Sequence, residues 1–266
     1  AHFGHVLKGR GAVVCFTGEI GYGKTWLLEH FAQECRDAAG NLLVLNAVCQ
    51  QPLGSLHIGE VQPLYPFRHI MEQMTHEDRN TAKKKLYQSI GMTVLATLPL
   101  VGEVFYAAKE ISRDLKEFKS GQAREEQPRF TSSQLIGEYV AAIERVSRDH
   151  PLLILLDDMQ WCDTQSVQLL TALSQAVAKL PVLLLVAYRD SDARLIGHPL
   201  LPYIDSGLAE GTIAQKFELQ PFSPAQILQC CRLYRPNYTS NEQFEQWIFN
   251  HSSGVRRVVA EYLRYF

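Results

Sequence analysis

The sequence lacks an excess of charge of either sign, because 26 Lys and Arg residues stand against 28 Asp and Glu residues, which gives a net charge of -2. This balance argues against a global basic field for nucleic acid and against the acidic excess of a disordered chain. The six cysteines include no C-x-x-C pair, and no histidine near them has zinc-site spacing. They lie mostly in apolar runs, so the pattern predicts buried thiols in a reducing, cytoplasmic compartment.

Long apolar runs are scarce as well. The first residues, AHFGHVLKGRG, contain no apolar segment typical of a signal peptide. Residues 90–108 carry a single charge, at Glu103, and are long enough for a bilayer crossing. Pro99 and Gly102 interrupt this run. We therefore expect a buried or partner-facing helix pair here, and no membrane association.

Short apolar runs rich in β-branched residues alternate with helical patterns along the chain. The predicted strands are Ala12–Thr17, Leu42–Val48, Leu152–Asp157, Val182–Tyr188 and Ile213–Leu219. The helices between them are predicted over Lys24–Ala38, Pro66–Met74, Ser132–Arg148 and Thr164–Ala178. Near-continuous apolar strands that alternate with helices predict an α/β fold with a five-stranded parallel sheet covered on both faces.

The same patterns predict two structural units. Residues 1–220 form the α/β domain, interrupted by a long insertion at about residues 50–130, of which the charged part 114–130 is predicted to be a helix end and a loop. Residues 221–266 form a small helical subdomain, expected behind the sheet. Its predicted helices are Pro224–Tyr234, Asn241–Asn250 and Gly254–Phe266.

A glycine-rich segment between the first strand and the first helix, GEIGYGKT, has the spacing G-x-x-x-x-G-K-[ST]. Glycines let successive backbone N–H groups surround phosphate oxygens, and the following helix N-terminus favours negative charge. Lys24 is predicted to reach the β- and γ-phosphates, and the Thr25 hydroxyl to bind Mg²⁺. The alternative is a turn that matches by chance. The predicted nucleotide-binding residues are Gly18, Glu19, Ile20, Gly21, Tyr22, Gly23, Lys24, Thr25 and Trp26.

Two carboxylates, Asp157 and Asp158, end the third predicted strand. A parallel strand delivers its C-terminal residues to the edge of the sheet where ligands bind. We therefore expect Asp157 to hold Mg²⁺, through water, and Asp158 to orient or deprotonate an attacking water. The alternative for Asp158 is that it only helps to cap the helix that begins near Asp163, which is itself a predicted N-cap.

Arg189 follows the fourth predicted strand. If that strand lies between the first and the third, the guanidinium emerges beside the γ-phosphate and would sense or stabilise its charge. The alternative is a surface arginine paired with Asp190 or Asp192. For Trp161, packing of the next helix against the sheet is favoured over stacking on a base or a partner. The predicted catalytic residues are thus Lys24, Asp158 and Arg189.

Taken together, the motifs resemble a known family. The segments GEIGYGKT, LLILLDDMQWCD, LLLVAYRDSD with the following HPL, and LQPFSPAQI are similar to the STAND class of P-loop NTPases. They most resemble the AAA-like ATPase modules found in LuxR-type regulators and beside class III nucleotide cyclases. The resemblance covers nearly the whole chain and implies the three-layer P-loop fold, with ATP and Mg²⁺ as ligands. The matching positions are Lys24, Thr25, Asp157, Asp158, Trp161, Asp163 and Arg189.

The chain departs from the family pattern at two places. It lacks a clear Gly-Arg-Glu segment near the base, and the place of the Gly-Asn-Pro turn is taken by Ser253-Gly254-Val255-Arg256-Arg257. Arg256 or Arg257 could substitute for the sensor-like contact that this turn makes in relatives.

Three functions remain as expectations. The resemblance favours a Mg²⁺-dependent, slowly hydrolysing ATP switch in signal transduction, whose output is self-association or a surface for a protein partner. A DNA-associated AAA+ ATPase of the origin-loading type would need a basic face. The run Lys83-Lys84-Lys85 in a neutral chain instead favours a solvated helix, so nucleic-acid binding is not expected. A non-hydrolysing nucleotide-binding scaffold is disfavoured because Lys24, Thr25, Asp157 and Asp158 are all present.

Overall fold

The computed structural model describes residues 2–51, 63–76, 132–235 and 237–265. The strands are β1 (Ala12–Thr17), β2 (Leu43–Val48), β3 (Leu152–Asp157), β4 (Val182–Tyr188) and β5 (Gln215–Glu218). The helices are α1 (His2–Val6), α2 (Lys24–Ala38), α3 (Tyr65–His76), α4 (Ser132–Asp149), α5 (Thr164–Val177), α6 (Asp190–Leu195), α7 (Leu200–Glu210), α8 (Pro224–Tyr234), α9 (Glu242–Ser252) and α10 (Arg256–Tyr265). A 3₁₀ turn covers Met159–Trp161. The predictions for residues 83–85, 90–108 and 114–130 lie outside the described residues.

The five strands form one parallel sheet in the order β2-β3-β4-β1-β5. Its parallel strands and the helices that join them confirm the predicted α/β fold. Strand β4 lies between β1 and β3, which is the position that the argument about Arg189 required. The carboxyl ends of β1, β3 and β4 therefore meet at one edge of the sheet.

Helices cover both faces of the sheet. Side chains alternate along β3, so that Leu152, Ile154 and Leu156 face one layer while Leu153 and Leu155 face the other. Helices α1 and α2 pack on the second face, and α3, α4, α5 and α7 contribute to the first. All six residues of β3 are buried, and each apolar side chain so buried contributes about 1.5–3 kcal/mol. Burial on both faces explains why the middle strands are uninterrupted apolar runs.

Three parts of the fold differ from the sequence prediction. Strand β5 is shorter than the predicted Ile213–Leu219, because it lies at the edge of the sheet and Ile213 packs into the core before the strand begins. Helices α6 and α7 were not predicted, since Gly197 and Pro199 break the helical pattern between them. The short α1 was also missed.

The last three helices have a small core of their own, formed by Ile227, Cys231, Ile248, Val259 and Leu263. Ser223 and Gln226 form a capping box at the start of α8, and Asn241 caps α9, as such residues do at helix N-termini. The expectation that these helices lie behind the sheet is wrong. The N-terminus of α10 contacts the glycine-rich loop, where the Arg257 N–H donates to the Gly21 carbonyl (3.1 Å).

No helix within the described ranges is long and apolar enough to cross a membrane. The cysteines follow the prediction: all are free thiols, and only Cys230 is not fully buried.

Candidate nucleotide-binding site

The glycine-rich loop joins the end of β1 to the start of α2, as the motif predicts. Gly21 and Gly23 have φ values of 81° and 87°, in the left-handed region that favours glycine. Space is restricted too, because a Cβ on Gly21 would lie 2.8 Å from a methyl group of Val255. The loop therefore needs glycine for its own conformation and for the close approach of the segment before α10.

Lys24 is the first residue of α2, and its side chain folds back over the loop. The ammonium donates to the carbonyls of Gly18 (2.6 Å) and Glu19 (3.2 Å). Burial lowers the pKa of Lys24, while the Asp157 and Asp158 carboxylates raise it. An ammonium that is partly desolvated among backbone oxygens is well placed to bind an anion at the helix N-terminus.

Thr25 and Asp157, although 132 residues apart in sequence, meet at the end of β3. The Thr25 hydroxyl donates to the Asp157 carboxylate at 2.5 Å, and the Asp158 N–H donates to its other oxygen at 2.8 Å. Burial raises the pKa of Asp157, whereas the hydrogen bonds from Thr25 and Asp158 lower it. A hydroxyl and a carboxylate side by side are the hard oxygen ligands that Mg²⁺ prefers.

Asp158 leaves the strand in a left-handed conformation, with φ at 52°. Its Oδ1 accepts a hydrogen bond from the Gln160 amide (2.8 Å) and lies 3.5 Å from the Arg189 guanidinium. It makes no side-chain cap, and Asp163 is the residue that caps α5. The geometry thus gives no support to the capping alternative for Asp158.

Arg189 directly follows β4 and its side chain is only 19% exposed. The guanidinium pairs with Asp192 (2.7 Å) as well as Asp158, and it lies over the Trp161 ring. The alternative predicted from the sequence was a surface arginine paired with Asp190 or Asp192. The structure contains the ion pair with Asp192, but it lies at the edge of the candidate site and not on an open surface. Trp161 packs against the main core, as favoured from sequence.

A cavity of about 630 Å³ lies between the loop and helices α8 and α10. Its polar end is formed by Lys24, Thr25, Asp158 and Arg189, and its other wall by α8 and α10. Trp26 and Ile20 line it and are 62% and 70% exposed, respectively. The residues from α8 and α10 that contribute are Cys230, Tyr234, Arg256, Arg257, Val259, Ala260, Glu261, Leu263 and Arg264.

Other predicted loop residues make hydrogen bonds that hold the loop and connect it to α6. The Glu19 carboxylate accepts a hydrogen bond from Ser191 in α6 (2.9 Å), and the Tyr22 N–H donates to the Glu19 carbonyl. Gly18 supplies one of the carbonyls that hold Lys24. The loop is thereby linked to the helix that follows Arg189.

From the sequence, either Arg256 or Arg257 could make the sensor-like contact, and the structure distinguishes the two. Its guanidinium stacks over the Phe222 ring at 4.8 Å and lies 3.6 Å from where a Cβ of Gly23 would be. Its buried Nε has no hydrogen-bond partner within the described part of the chain. Arg257 instead contacts the loop through its backbone N–H. Arg256 is therefore the side chain with unused donor capacity beside the loop.

Two contributors were missed from sequence. Gln160 is fully buried and bridges Asp158 and the backbone of Arg189. A glutamine inside the apolar stretch MQWC was the signal available, because a buried polar side chain requires partners. Nothing in the sequence indicated that the ring of Phe222 would lie beneath the Arg256 guanidinium.

The family model described as AAA ATPase domain matches residues 1–186. The chain belongs to the AAA ATPase domain family. The matched part includes the glycine-rich loop, Asp157, Asp158 and nearly all of β4. It ends before Arg189 and before α8–α10.

An uncharacterised protein of Rhizobium meliloti (strain 1021) is 27% identical to this AAA ATPase domain over 193 residues. The match covers 71% of this chain and 17% of that protein. The chain thus spans about a sixth of the length of this relative. AAA ATPase domains are nucleotide-binding ATPases, and the cavity has the cationic polar end that such a ligand requires.

Proposed function

We propose that this AAA ATPase domain is a Mg²⁺-dependent ATP switch of the STAND type, which hydrolyses ATP slowly and signals through the position of α8–α10. The observation that carries the proposal is that Lys24 and Thr25 line one end of a cavity whose other wall is α10, while the buried Asp157 accepts a hydrogen bond from Thr25. Slow turnover and a signalling role rest on the resemblance to the STAND class.

The cavity fits a nucleoside triphosphate in size and in charge. Its volume of about 630 Å³ lies within the range usual for small-ligand sites. Lining cations outnumber lining anions, since Lys24 and four arginines face Asp158 and Glu261. The unsatisfied Nε of Arg256 is a further donor that a phosphate oxygen would engage.

The metal ligands in this proposal are the Thr25 hydroxyl and the Asp157 carboxylate, the latter through water. A bound Mg²⁺ would supply positive charge to neutralise the phosphates. The structure supports this assignment because Thr25 and Asp157 already contact each other and Asp157 is buried without a cationic partner at hydrogen-bond distance among the described residues.

Hydrolysis requires a group that orients water and a group that stabilises charge on the γ-phosphate. Asp158 has one oxygen engaged by Gln160 and Arg189, so its Oδ2 is left to orient a water or accept its proton. Arg189 and Lys24 stabilise the negative charge that spreads over the phosphate oxygens in the transition state.

The base would lie against the apolar part of the cavity. Trp26 and Tyr234 offer ring faces, and Val259, Ala260 and Leu263 offer aliphatic surface. Preference for ATP over GTP rests on the family, since the described lining residues show no set of groups specific for guanine.

The switch works through the contact of α10 with the loop. The Arg257 N–H, the Val255 side chain and the Arg256 guanidinium all lie at the loop. ATP would engage both sides of this junction and favour one position of the helices, while ADP would favour another. The changed surface would then support self-association or a protein partner.

The direct test is phosphate release from ATP by the purified protein, with and without Mg²⁺, together with the affinities for ATP and ADP. Asp158→Asn should lower single-turnover hydrolysis by about 10²-fold or more and leave the ATP affinity within about threefold, because orienting water matters mainly in the transition state. Lys24→Ala should weaken ATP binding by about tenfold or more, since a charge-assisted contact of about 1.5–3 kcal/mol is lost.

Asp149→Asn is the control, because Asp149 is an exposed carboxylate at the end of α4 and does not line the cavity. Hydrolysis that is absent from the wild type, or unaffected by Asp158→Asn, contradicts the ATPase part of the proposal. A shift of DNA mobility by the protein would support the origin-loading alternative instead.

A further inference from the structure

Gln160 occupies a buried position behind the proposed catalytic pair Asp158 and Arg189. Its side chain is fully buried, and both ends of its amide are used. The amide nitrogen donates to Asp158 Oδ1 at 2.8 Å, and the amide oxygen accepts from the Arg189 backbone N–H at 2.9 Å. One side chain on the turn after β3 therefore holds the ends of two neighbouring strands together.

The contacts form a closed ring. Arg189 is held by Gln160 through its backbone and contacts Asp158 through its guanidinium at 3.5 Å. Asp158 is in turn held by Gln160. Both contacts that described residues make with the Asp158 carboxylate fall on Oδ1, so the amide fixes which oxygen remains for water. An uncharged amide offers an N–H donor and a carbonyl acceptor on separate atoms, so one side chain serves both partners.

Asp158 needs such support because of its own backbone. It lies in the left-handed region, which is uncommon for a residue other than glycine and is held by the surrounding structure. Its side chain is 33% exposed, so packing restricts the carboxylate only in part. The buried amide of Gln160 is the rigid group among its described neighbours.

We propose that Gln160 is a positioning residue for ATP hydrolysis. It holds the Asp158 carboxylate and the end of β4, which carries Arg189, at fixed positions relative to each other. This inference rests on the proposed function. Gln160 does not line the cavity and touches no substrate, so it acts through Asp158 and Arg189. A small displacement of a group that orients water is enough to reduce turnover by about 10²-fold.

The test uses two replacements of different chemistry. Gln160→Met keeps the length of the side chain and removes both hydrogen bonds. Gln160→Glu keeps an acceptor for the Arg189 N–H and removes the donor to Asp158. We expect both to lower the single-turnover rate by about 10–10²-fold, while the Kd of ATP and of ADP stays within about threefold of wild type. Gln33→Met is the control, because Gln33 makes a similar amide–carboxylate contact, with Asp37, on the exposed face of α2.

A double-variant cycle separates positioning from general stability. In the Asp158→Asn background, Gln160→Met should lower the rate by a clearly smaller factor than in the wild type, because one of the two groups through which it acts is already impaired. An equal loss in both backgrounds, or a wild-type rate in either single variant, would overturn the proposal. Loss of ADP binding in Gln160→Met would also overturn it, since Gln160 would then serve the fold.

The same assay distinguishes this failure from failure of the proposed function. If wild-type protein releases phosphate and Asp158→Asn does not, but the Gln160 variants do, only the positioning role is wrong. If the wild type releases no phosphate, the ATPase proposal is wrong and the role of Gln160 fails with it.

Discussion

At the scale of single residues, the buried carboxylate of Asp157 has a cost that a bound cation would remove. Burial raises the pKa of Asp157, so in the ligand-free protein this group destabilises the fold as pH rises from its unfolded value through its higher folded value. The residue is retained at a destabilising position, as expected for a metal ligand.

Asp157→Asn should therefore keep or raise the melting temperature of the ligand-free protein at pH 7, by about 2–4 °C for each kcal/mol of burial cost removed. The additional stabilisation by Mg²⁺ with ATP, measured against ATP with a chelator, should be lost. A Mg²⁺ effect that is equal in variant and wild type would assign the metal to another carboxylate.

His198 is a buried histidine beside the site, held by two backbone groups. The Leu200 N–H donates to its Nδ1 (3.1 Å), so Nε2 carries the proton and donates to the Cys162 carbonyl (2.8 Å). Burial lowers the pKa of His198 below its ordinary value of 6.5. The imidazole therefore joins the turn after β3 to the start of α7 in its neutral form.

The sign of the pH dependence follows. Below about pH 6.5 the unfolded chain binds a proton at His198 that the folded protein does not, so the free energy of unfolding should fall as pH decreases towards the folded pKa. His198→Gln should reduce this slope below about pH 6.5, by at most about 1.4 kcal/mol per pH unit for one proton. Chemical denaturation at several pH values measures it, with the exposed His30→Gln as control. Equal slopes in both variants would remove His198 from this account.

At the scale of elements, the chain just before β1 packs closely against the backbone of the connection from α5 to β4. A Cβ at Gly11 would lie 2.3 Å from the Val177 carbonyl oxygen and 2.5 Å from that of Val182. Backbone atoms cannot give way as the end of a flexible side chain can. Strand β1 leads directly into the loop, so its position also sets the position of the loop.

Gly11→Ala should lower the free energy of unfolding by about 1–3 kcal/mol or more, as overpacking does in well-packed interiors. Gly40→Ala is the matched control, because nothing lies within 4 Å of a Cβ there, and it should be neutral or slightly stabilising. Urea denaturation compares the two. Similar stability in both variants would mean that the chain before β1 relaxes without cost.

At the scale of the whole molecule, the proposed switch depends on whether ATP joins the loop to α10. Arg256 is the side chain placed for this, since it stacks on Phe222 above the loop and its Nε has no partner among the residues that the structure describes. The Arg257 N–H, bonded to the Gly21 carbonyl, is a natural reporter of that junction.

Hydrogen exchange should show the Arg257 amide protected more by Mg²⁺ with a non-hydrolysable ATP analogue than by Mg²⁺ with ADP. Arg256→Gln should reduce this difference, because the contact with the terminal phosphate is lost. Arg264→Gln is the control on the same helix, since Arg264 lines the cavity but pairs with Glu261. Equal protection by both nucleotides in wild type would contradict the switch.

Much of the fold was predictable from the sequence because its signals are local. The apolar runs give β1, β3 and β4 at their observed bounds, since buried parallel strands need apolar side chains on both faces. The loop motif gives α2 its start at Lys24, since Gly23 must adopt a left-handed conformation just before it. Asp163 was likewise recognisable as an N-cap from its place before a helical pattern.

Only the tertiary structure decided which distant residues meet. From the sequence, the role of Arg189 depended on whether β4 lies between β1 and β3. Strand order is set by the packing of the whole sheet, and the observed order places Arg189 beside Asp158. The bridge through Gln160 and the contact of α10 with the loop depend on atoms brought together by that order. Hydrophobic period and turn chemistry act over a few residues, whereas the site is made by the carboxyl ends of strands that are far apart in the chain.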